Sequence, residues 1–201
     1  MKMRSFPTNV LTAGDQHLST LALVLLGRKN SGKSSAGNTF FGQRTFEAGE
    51  KTRQCVKRHG WVDGVRLTVV DTPGWSSYGL ANATLVKQEL LRSVRLWLPK
   101  PQIFLLVIPV DSFSKRDHKA VMEHISLLGS VWNHTVVLFT WADELRGVSI
   151  KEHVKKRGKH LQEILEMCGH RYHILNNKIR EEHQVRELLE TVREMFLTRD
   201  R

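Results

Sequence analysis

Gly27-Arg28-Lys29-Asn30-Ser31-Gly32-Lys33-Ser34 fits the pattern G-x-x-x-x-G-K-[ST], a phosphate-binding loop. Its flanks agree with that reading. Leu21-Ala22-Leu23-Val24-Leu25-Leu26 is an apolar run of strand length, and Ser35 to Phe41 continues as the first turns of a helix. A strand, a glycine turn and a helix N-terminus bring free backbone N–H groups and the positive end of the helix dipole to one point. Lys33 is expected to reach the β- and γ-phosphates, and the Ser34 hydroxyl to face Mg²⁺. Gly27 and Gly32 let the backbone come close to phosphate where a Cβ would intrude.

Beyond the first helix, Gly42 to Lys51 is polar and reads as a mobile loop, with Thr52 just past it. A threonine between the first helix and the next strand can close over Mg²⁺ and the γ-phosphate, and Thr52 is the candidate by position. Cys55 to Val62 and Val65 to Val70 are β-prone runs separated by Asp63-Gly64, a hairpin signal. The second strand should therefore run antiparallel to the third. The third ends in Asp71-Thr72-Pro73-Gly74. A carboxylate at the C-terminal end of a buried strand lies where parallel α/β sheets keep their ligand chemistry. Asp71 is the expected Mg²⁺ carboxylate, and the Gly74 N–H is expected at the γ-phosphate, although Pro-Gly is turn chemistry in any context.

The remaining chain alternates. Helical patterns cover Asn82 to Trp97 (ended by Pro99 and Pro101), Lys115 to Leu128, Ile150 to Met167 and His183 to Phe196; strand patterns cover Ile103 to Ile108, Thr135 to Thr140 and Tyr172 to Leu175. The order βαββαβαβαβα predicts a three-layer α/β fold of the P-loop NTPase, small-GTPase-like kind. Its sheet would be six-stranded and mostly parallel, with one antiparallel edge strand. Residues 1–20 read as an N-terminal extension and 21–201 as the nucleotide-binding domain.

Choosing guanine over adenine needs a carboxylate, because guanine presents N1–H and N2–H₂ as paired donors and adenine has no donor at N1. A site built to pair those donors discriminates strongly. Asp143, in Thr140-Trp141-Ala142-Asp143 after the fifth strand, is the candidate. Trp141 could stack on the base, and Ala142 lies between them. Asn176-Asn177, after the last strand, could meet the O6 side or form a plain turn. The nucleotide set is thus Gly27 through Ser35 with Gly74, Trp141, Ala142, Asp143, Asn176 and Asn177. The Mg²⁺ set is Ser34, Thr52 and Asp71.

At 201 residues, with 40% hydrophobic and 25% charged residues, the chain suits one globular domain. No run approaches the roughly 18 apolar residues of a membrane span. Met1 to Thr20 lacks the apolar core of a secretory signal, and Thr198-Arg199-Asp200-Arg201 is not a prenylation box. Cys55 and Cys168 make no disulfide framework, so a reduced, cytoplasmic setting is expected. The net charge of +11 favours anionic partners. Lys151, Lys155, Lys156, Arg157 and Lys159 cluster on the penultimate helix, as a solvated face or as a contact for a peripheral, organelle-type membrane surface. No aromatic-interleaved nucleic-acid module is present, so nucleic acid ranks last among partners. His59, His118 and His124 show no metal-ligand spacing and read as surface or packing residues.

These motifs together resemble the immunity-associated GTPases, the GIMAP (AIG-type) family, relatives of septins and plastid-import GTPases. The resemblance runs from about Leu21 to Phe196. It rests on the P-loop with Ser34-Ser35-Ala36-Gly37-Asn38-Thr39, on Asp71-Thr72-Pro73-Gly74-Trp75, and on Phe104-Leu105-Leu106-Val107-Ile108-Pro109-Val110-Asp111. It continues in Leu127-Leu128-Gly129, Leu138-Phe139-Thr140-Trp141-Ala142-Asp143 and Cys168-Gly169-His170-Arg171-Tyr172-His173-Ile174-Leu175-Asn176-Asn177. It implies GTP/GDP binding with Mg²⁺, GTP-dependent homo- or hetero-oligomers of related G domains, and action at cytoplasmic membrane surfaces in immune cells. Two departures imply slow hydrolysis. Trp75 stands where Ras-like enzymes carry a water-orienting glutamine, and Ser112, in Asp111-Ser112-Phe113-Ser114, stands where the family often carries an arginine. Arg28, Lys29 and Arg53 lie near enough in sequence to offer a replacement cation. Trp141 and Ala142 replace a basic pair common in the family, while Asp143 keeps guanine selectivity expected.

Overall fold

The computed structural model describes residues 19–76, 83–96, 102–179 and 181–197. Residues 1–18 of the expected 1–20 extension, the helix-flanking Asn82, Trp97, Pro99 and Pro101, and the C-terminal 198–201 lie outside the described residues. The elements are β1 (Thr20–Leu26), α1 (Lys33–Phe40), β2 (Val56–Val62), β3 (Val65–Asp71), α2 (Ala83–Leu96), β4 (Gln102–Pro109), α3 (Lys115–Ser126), β5 (Thr135–Thr140), α4 (Ile150–Arg157), α5 (Lys159–Met167), β6 (Tyr172–Ile174) and α6 (Glu182–Leu197). Short 3₁₀ turns cover Trp132–His134 and Ala142–Leu145.

The six strands form one sheet in the order β2-β3-β1-β4-β5-β6. β1 pairs in parallel with β3 and β4, β4 with β5, and β5 with β6, while β2 runs antiparallel to β3 at the edge. The three-layer fold and the antiparallel edge strand are as the sequence predicts. The β2–β3 hairpin turns at Asp63 (φ 49°) and Gly64 (φ 74°). Two left-handed residues in succession give the twist that matches a hairpin.

The central strands are uniformly apolar because both faces are covered. Side chains alternate across the sheet. Leu21, Leu23 and Leu25 of β1 and Ile103, Leu105 and Val107 of β4 pack with Phe40 of α1 and Leu188, Leu189 and Val192 of α6. On the other face, Val24, Leu26, Phe104, Leu106 and Ile108 pack with Leu90 of α2, Ile125 of α3 and Leu161 and Ile164 of α5. β1 is where the chain switches direction across the sheet, toward β3 on one side and β4 on the other. A ligand crevice belongs at the C-terminal ends of strands at such a point.

One expectation fails. Ile150 to Met167 is not a single helix, because Gly158, at φ 88° and ψ −174°, ends α4 and α5 restarts at Lys159. A residue without Cβ takes that conformation at little cost, and the break swings α5 against α3. The basic residues Lys151, Lys155, Lys156, Arg157 and Lys159 are exposed, spread over both helices. Ser114 begins α3 with a capping box, its hydroxyl accepting from the Asp117 N–H while the Asp117 carboxylate accepts from Ser114.

No helix of the described residues is long and apolar enough to cross a membrane. Neither cysteine is bridged. Burial, with the nearby Glu89 carboxylate, pushes the Cys55 thiol up to about 12, and burial likewise pushes Cys168 to about 12. The thiolate is the reactive form. Both thiols should therefore react with a thiol reagent at pH 8 roughly a thousandfold more slowly than a free cysteine, and both should become titratable in guanidinium. Fast labelling of the native protein at either position would contradict this burial.

Candidate functional site

The loop leaving β1 builds its anion-facing concavity from backbone. Asn30 (φ 59°) and Gly32 (φ 90°) are left-handed, and alternation of hand turns successive N–H groups toward one side as an anion nest. α1 starts at Lys33, with the Ala36 N–H bonded to the Gly32 carbonyl at 2.8 Å. The Lys33 side chain is 6% exposed and its Nζ donates to the Arg28 carbonyl across the loop at 2.8 Å. Burial lowers its pKa to about 8; Asp71 opposes that shift and Arg28 adds to it.

Asp71 ends β3 behind the loop. Its Oδ2 accepts from the Ser34 hydroxyl at 2.6 Å and the Thr52 hydroxyl at 3.2 Å. Its Oδ1 is buried with no hydrogen-bond partner. Burial raises the carboxyl's pKa, against the pull of Lys33 and the two hydroxyls. Three oxygen donors, one with an unused buried lone-pair atom, are the donor set a hard divalent cation takes, so these residues fit Mg²⁺. All three residues expected to hold it converge, from α1, β3 and the loop between α1 and β2.

A cavity of about 460 Å³ opens in front of them. Lys29, Asn30, Ser31, Gly32, Lys33, Ser34 and Ser35 line one wall, and Ala48 to Thr52, Gly74 and Trp141 line the others. Gly74 comes so close to the loop that a Cβ there would lie 2.7 Å from the Lys29 nitrogen. The Lys29 N–H donates to the Trp75 carbonyl at 2.9 Å. The Asp71-Thr72-Pro73-Gly74 turn is thus strapped to the phosphate loop.

Of the residues expected at the base, only Trp141 lines the cavity. Trp141 sits at φ 61°, 38% exposed, at the mouth. Asp143 lies in the 3₁₀ turn and is exposed; Lys178, beyond β6, forms an ion pair with its Oδ2. That bond lowers the Asp143 pKa and raises that of Lys178. Lys178 also lies 5.9 Å from the Trp141 ring centroid. Ala142 lies between Trp141 and Asp143 in the chain and opens the 3₁₀ turn. Asn177 faces the loop, its Nδ2 donating to the Gly32 carbonyl at 3.4 Å and its Oδ1 near the Thr39 hydroxyl. Asn176 Oδ1 accepts from the Lys178 N–H at 3.0 Å, the plain-turn option for that residue. Gly27 does not line the cavity, and a Cβ there would meet the Val107 carbonyl at 2.7 Å.

Arg28 turns away from the cavity. Its guanidinium meets the Ser112 hydroxyl and lies 3.8 Å from Asp117. Arg53 is exposed and is not part of the cavity wall, whereas Lys29 is. Trp75 is 2% exposed and stacks on His124 at 4.7 Å, so its ring belongs to the core. Sequence reasoning missed two residues. Lys178 carries the signal of a cation directly after Asn176-Asn177. Thr140, whose buried hydroxyl donates to the Ser31 carbonyl at 2.7 Å and ties β5 to the loop, has as its signal only its place at the head of Thr140-Trp141-Ala142-Asp143.

The chain is similar to GTPase IMAP family member 8 of Rattus norvegicus, 33% identical over 187 residues, covering 88% of this chain. It spans only 27% of that relative's length. In three dimensions it is similar to Toc33 from Arabidopsis thaliana solved in complex with GDP and Mg²⁺, with a TM-score of 0.71 and 17% identity over 88% of this chain and 84% of that one. It is also similar to a structure reported under the finding that dimerization is important for the GTPase activity of the chloroplast translocon components atToc33 and psToc159. That match has a TM-score of 0.69 and 16% identity, over 89% of this chain and 83% of that one. These structural likenesses establish a P-loop GTPase fold. A family model described as the AIG1 family matches residues 21–200, nearly all of the sheet, both helical layers and every residue of the cavity, so the chain belongs to the AIG1 family.

Proposed function

We propose that this chain is a guanine-nucleotide-binding domain that uses Mg²⁺ and whose triphosphate state controls assembly with like G domains, with at most slow GTP hydrolysis. The observation that carries the reading is the meeting of Ser34, Thr52 and Asp71 at one carboxylate oxygen, beside a cavity walled by the phosphate loop. Ser34, Thr52 and Asp71 would hold Mg²⁺, which when bound neutralises phosphate charge. Lys33 and the loop N–H groups bind the phosphates, Gly74 meets the terminal one, and Thr52 ties the mobile loop to the state of the nucleotide. Trp141 covers the base and Asp143 reads it after yielding part of its pairing to Lys178. Slow hydrolysis follows from what the chain offers an attacking water: Trp75 is packed in the core, and Ser112 and Arg28 are engaged with each other.

Calorimetry with GTP, GDP and ATP in Mg²⁺ tests the binding reading. GTP and GDP bind and ATP does not, and Asp143→Ala weakens the guanine nucleotides roughly a hundredfold or more with no loss of fold. Equal ATP binding, or an indifferent Asp143→Ala, would refute the assignment. Size-exclusion chromatography with GDP and with a non-hydrolysable GTP analogue tests assembly, and identical elution would remove it.

A second reading is a GTPase made competent by dimerisation. The Toc33 finding favours it, as does Lys29 on the cavity wall. Turnover that rises with protein concentration above ~10⁻³ s⁻¹, near the intrinsic Ras rate, would support it. The exposed basic residues of α4 and α5 support a third, peripheral contact with acidic membrane surfaces, which liposome flotation tests. An immune-cell setting rests on the family resemblance.

A further inference from the structure

α3 and α5 bring together three side chains that no reading of the nucleotide site uses. His118 lies in the first turn of α3, while His160 and Glu163 stand three apart on α5 and so share a face. His118 Nε2 is 3.0 Å from Glu163 Oε2, and His160 Nδ1 is 3.8 Å from the same oxygen. The two rings lie 5.0 Å apart at a tilt of 39°. One donor atom from each of the three residues falls within a 4.8 Å span.

Those separations suit a small transition-metal ion. Zinc holds nitrogen and oxygen ligands at about 2.0–2.1 Å in a tetrahedron, which places neighbouring donors roughly 3.3–3.4 Å apart. The two measured separations bracket that value. His160 Nδ1 is also shielded from solvent and has no hydrogen-bond partner. A buried polar atom without a partner costs free energy, and a ligated metal would remove that cost. Two imidazoles and one carboxylate favour zinc, nickel or copper over magnesium or calcium. Three protein ligands leave a fourth tetrahedral position.

We propose that His118, His160 and Glu163 form a Zn²⁺-type site that clamps α3 onto α5. The site lies apart from the Ser34, Thr52 and Asp71 set and does not rest on the nucleotide reading. Its position has a consequence. His118 adjoins Asp117, the residue 3.8 Å from Arg28 of the phosphate loop, so the clamp braces the helix turn that backs that loop. The geometry was hidden in the sequence because His118 and the α5 pair are far apart along the chain.

The test is a Zn²⁺ titration of the whole protein by calorimetry in excess Mg²⁺, which keeps Asp71 from competing, followed by Co²⁺ substitution read in the visible spectrum. Wild type binds one ion per chain, and Co²⁺ gives the intense d–d bands of tetrahedral nitrogen and oxygen ligation. His118→Ala and the near-isosteric Glu163→Gln each weaken binding by at least about a hundredfold, since loss even of an outer-shell partner costs 10–100-fold. His183→Ala, at an exposed histidine of α6, changes nothing. Zn²⁺ raises the melting temperature of wild type and not of Glu163→Gln. Absence of stoichiometric binding to wild type, or unchanged affinity in either ligand variant, overturns the proposal.

Discussion

Lys33→Met is expected to lower GTP and GDP affinity roughly a hundredfold while leaving the nucleotide-free protein as stable as wild type or more so. Both halves follow from one side chain. Lys33 is almost fully buried, its pKa is lowered from 10.5 to about 8, and burial is the largest cause. A group whose charged form is disfavoured in the folded state destabilises that state wherever the charge persists. At pH 7 the ammonium lies below its folded pKa, so the penalty acts in full; it fades as pH rises from about 8 toward 10.5. The shift corresponds to about 3 kcal/mol. Methionine also loses the bond to the Arg28 carbonyl, which returns about 1–3 kcal/mol. The net is a gain between nothing and about 2 kcal/mol, or up to several degrees in melting temperature. Binding moves the other way, because charge-assisted bonds to phosphate are worth about 1.5–3 kcal/mol. Thermal unfolding of the empty protein and calorimetry with GDP measure the two signs separately. A variant that melts well below wild type, or binds as tightly, would show that Lys33 serves the fold and not the ligand.

What could be read from the chain divides by the range of the interaction. The phosphate loop was legible because its conformation is local: Gly32 must be left-handed, Lys33 must start a helix, and a strand must precede. The central strands β1 and β4 were legible because strands covered on both faces have apolar interiors, and the Asp63-Gly64 turn because its dihedral angles admit few residues. Gly158 was misread because an isolated glycine within a helical pattern is usually tolerated, and only the packing of α5 on α3 decides that the chain breaks there. The ion pair of Asp143 with Lys178, the bond from Thr140 to Ser31 and the His118, His160 and Glu163 group join residues distant in sequence. No local pattern marks them, and they required the topology β5-β6 and α3-α5 before they could be seen.

Gly74→Ala is expected to lower the melting temperature by about 4–12 °C and to weaken GTP more than GDP. The added Cβ would lie 2.7 Å from the Lys29 nitrogen, 2.8 Å from its Cα and 2.9 Å from the Arg28 carbonyl carbon. All three are main-chain atoms, so no side chain can swing aside and one backbone must move away from the other. Each is held. The Lys29 N–H is bonded to the Trp75 carbonyl at 2.9 Å, the Thr72 hydroxyl to the Leu25 carbonyl at 2.6 Å, and the Trp75 ring is buried against His124. Overpacking of this kind costs about 2–3 kcal/mol, which sets the fall in melting temperature for a chain of this size. The nucleotide dependence comes from where the displacement falls. The turn moves away from the end of the cavity proposed for the terminal phosphate, while the loop N–H groups from Asn30 to Lys33 that cradle the others stay anchored to the start of α1. The ratio of GTP to GDP affinity, measured by calorimetry at a temperature where the variant is folded, therefore drops. A variant that melts with wild type would mean the turn and the loop are not held at the separation seen here. A normal melt shift with an unchanged ratio would remove Gly74 from the terminal-phosphate contact and leave it a purely structural strap.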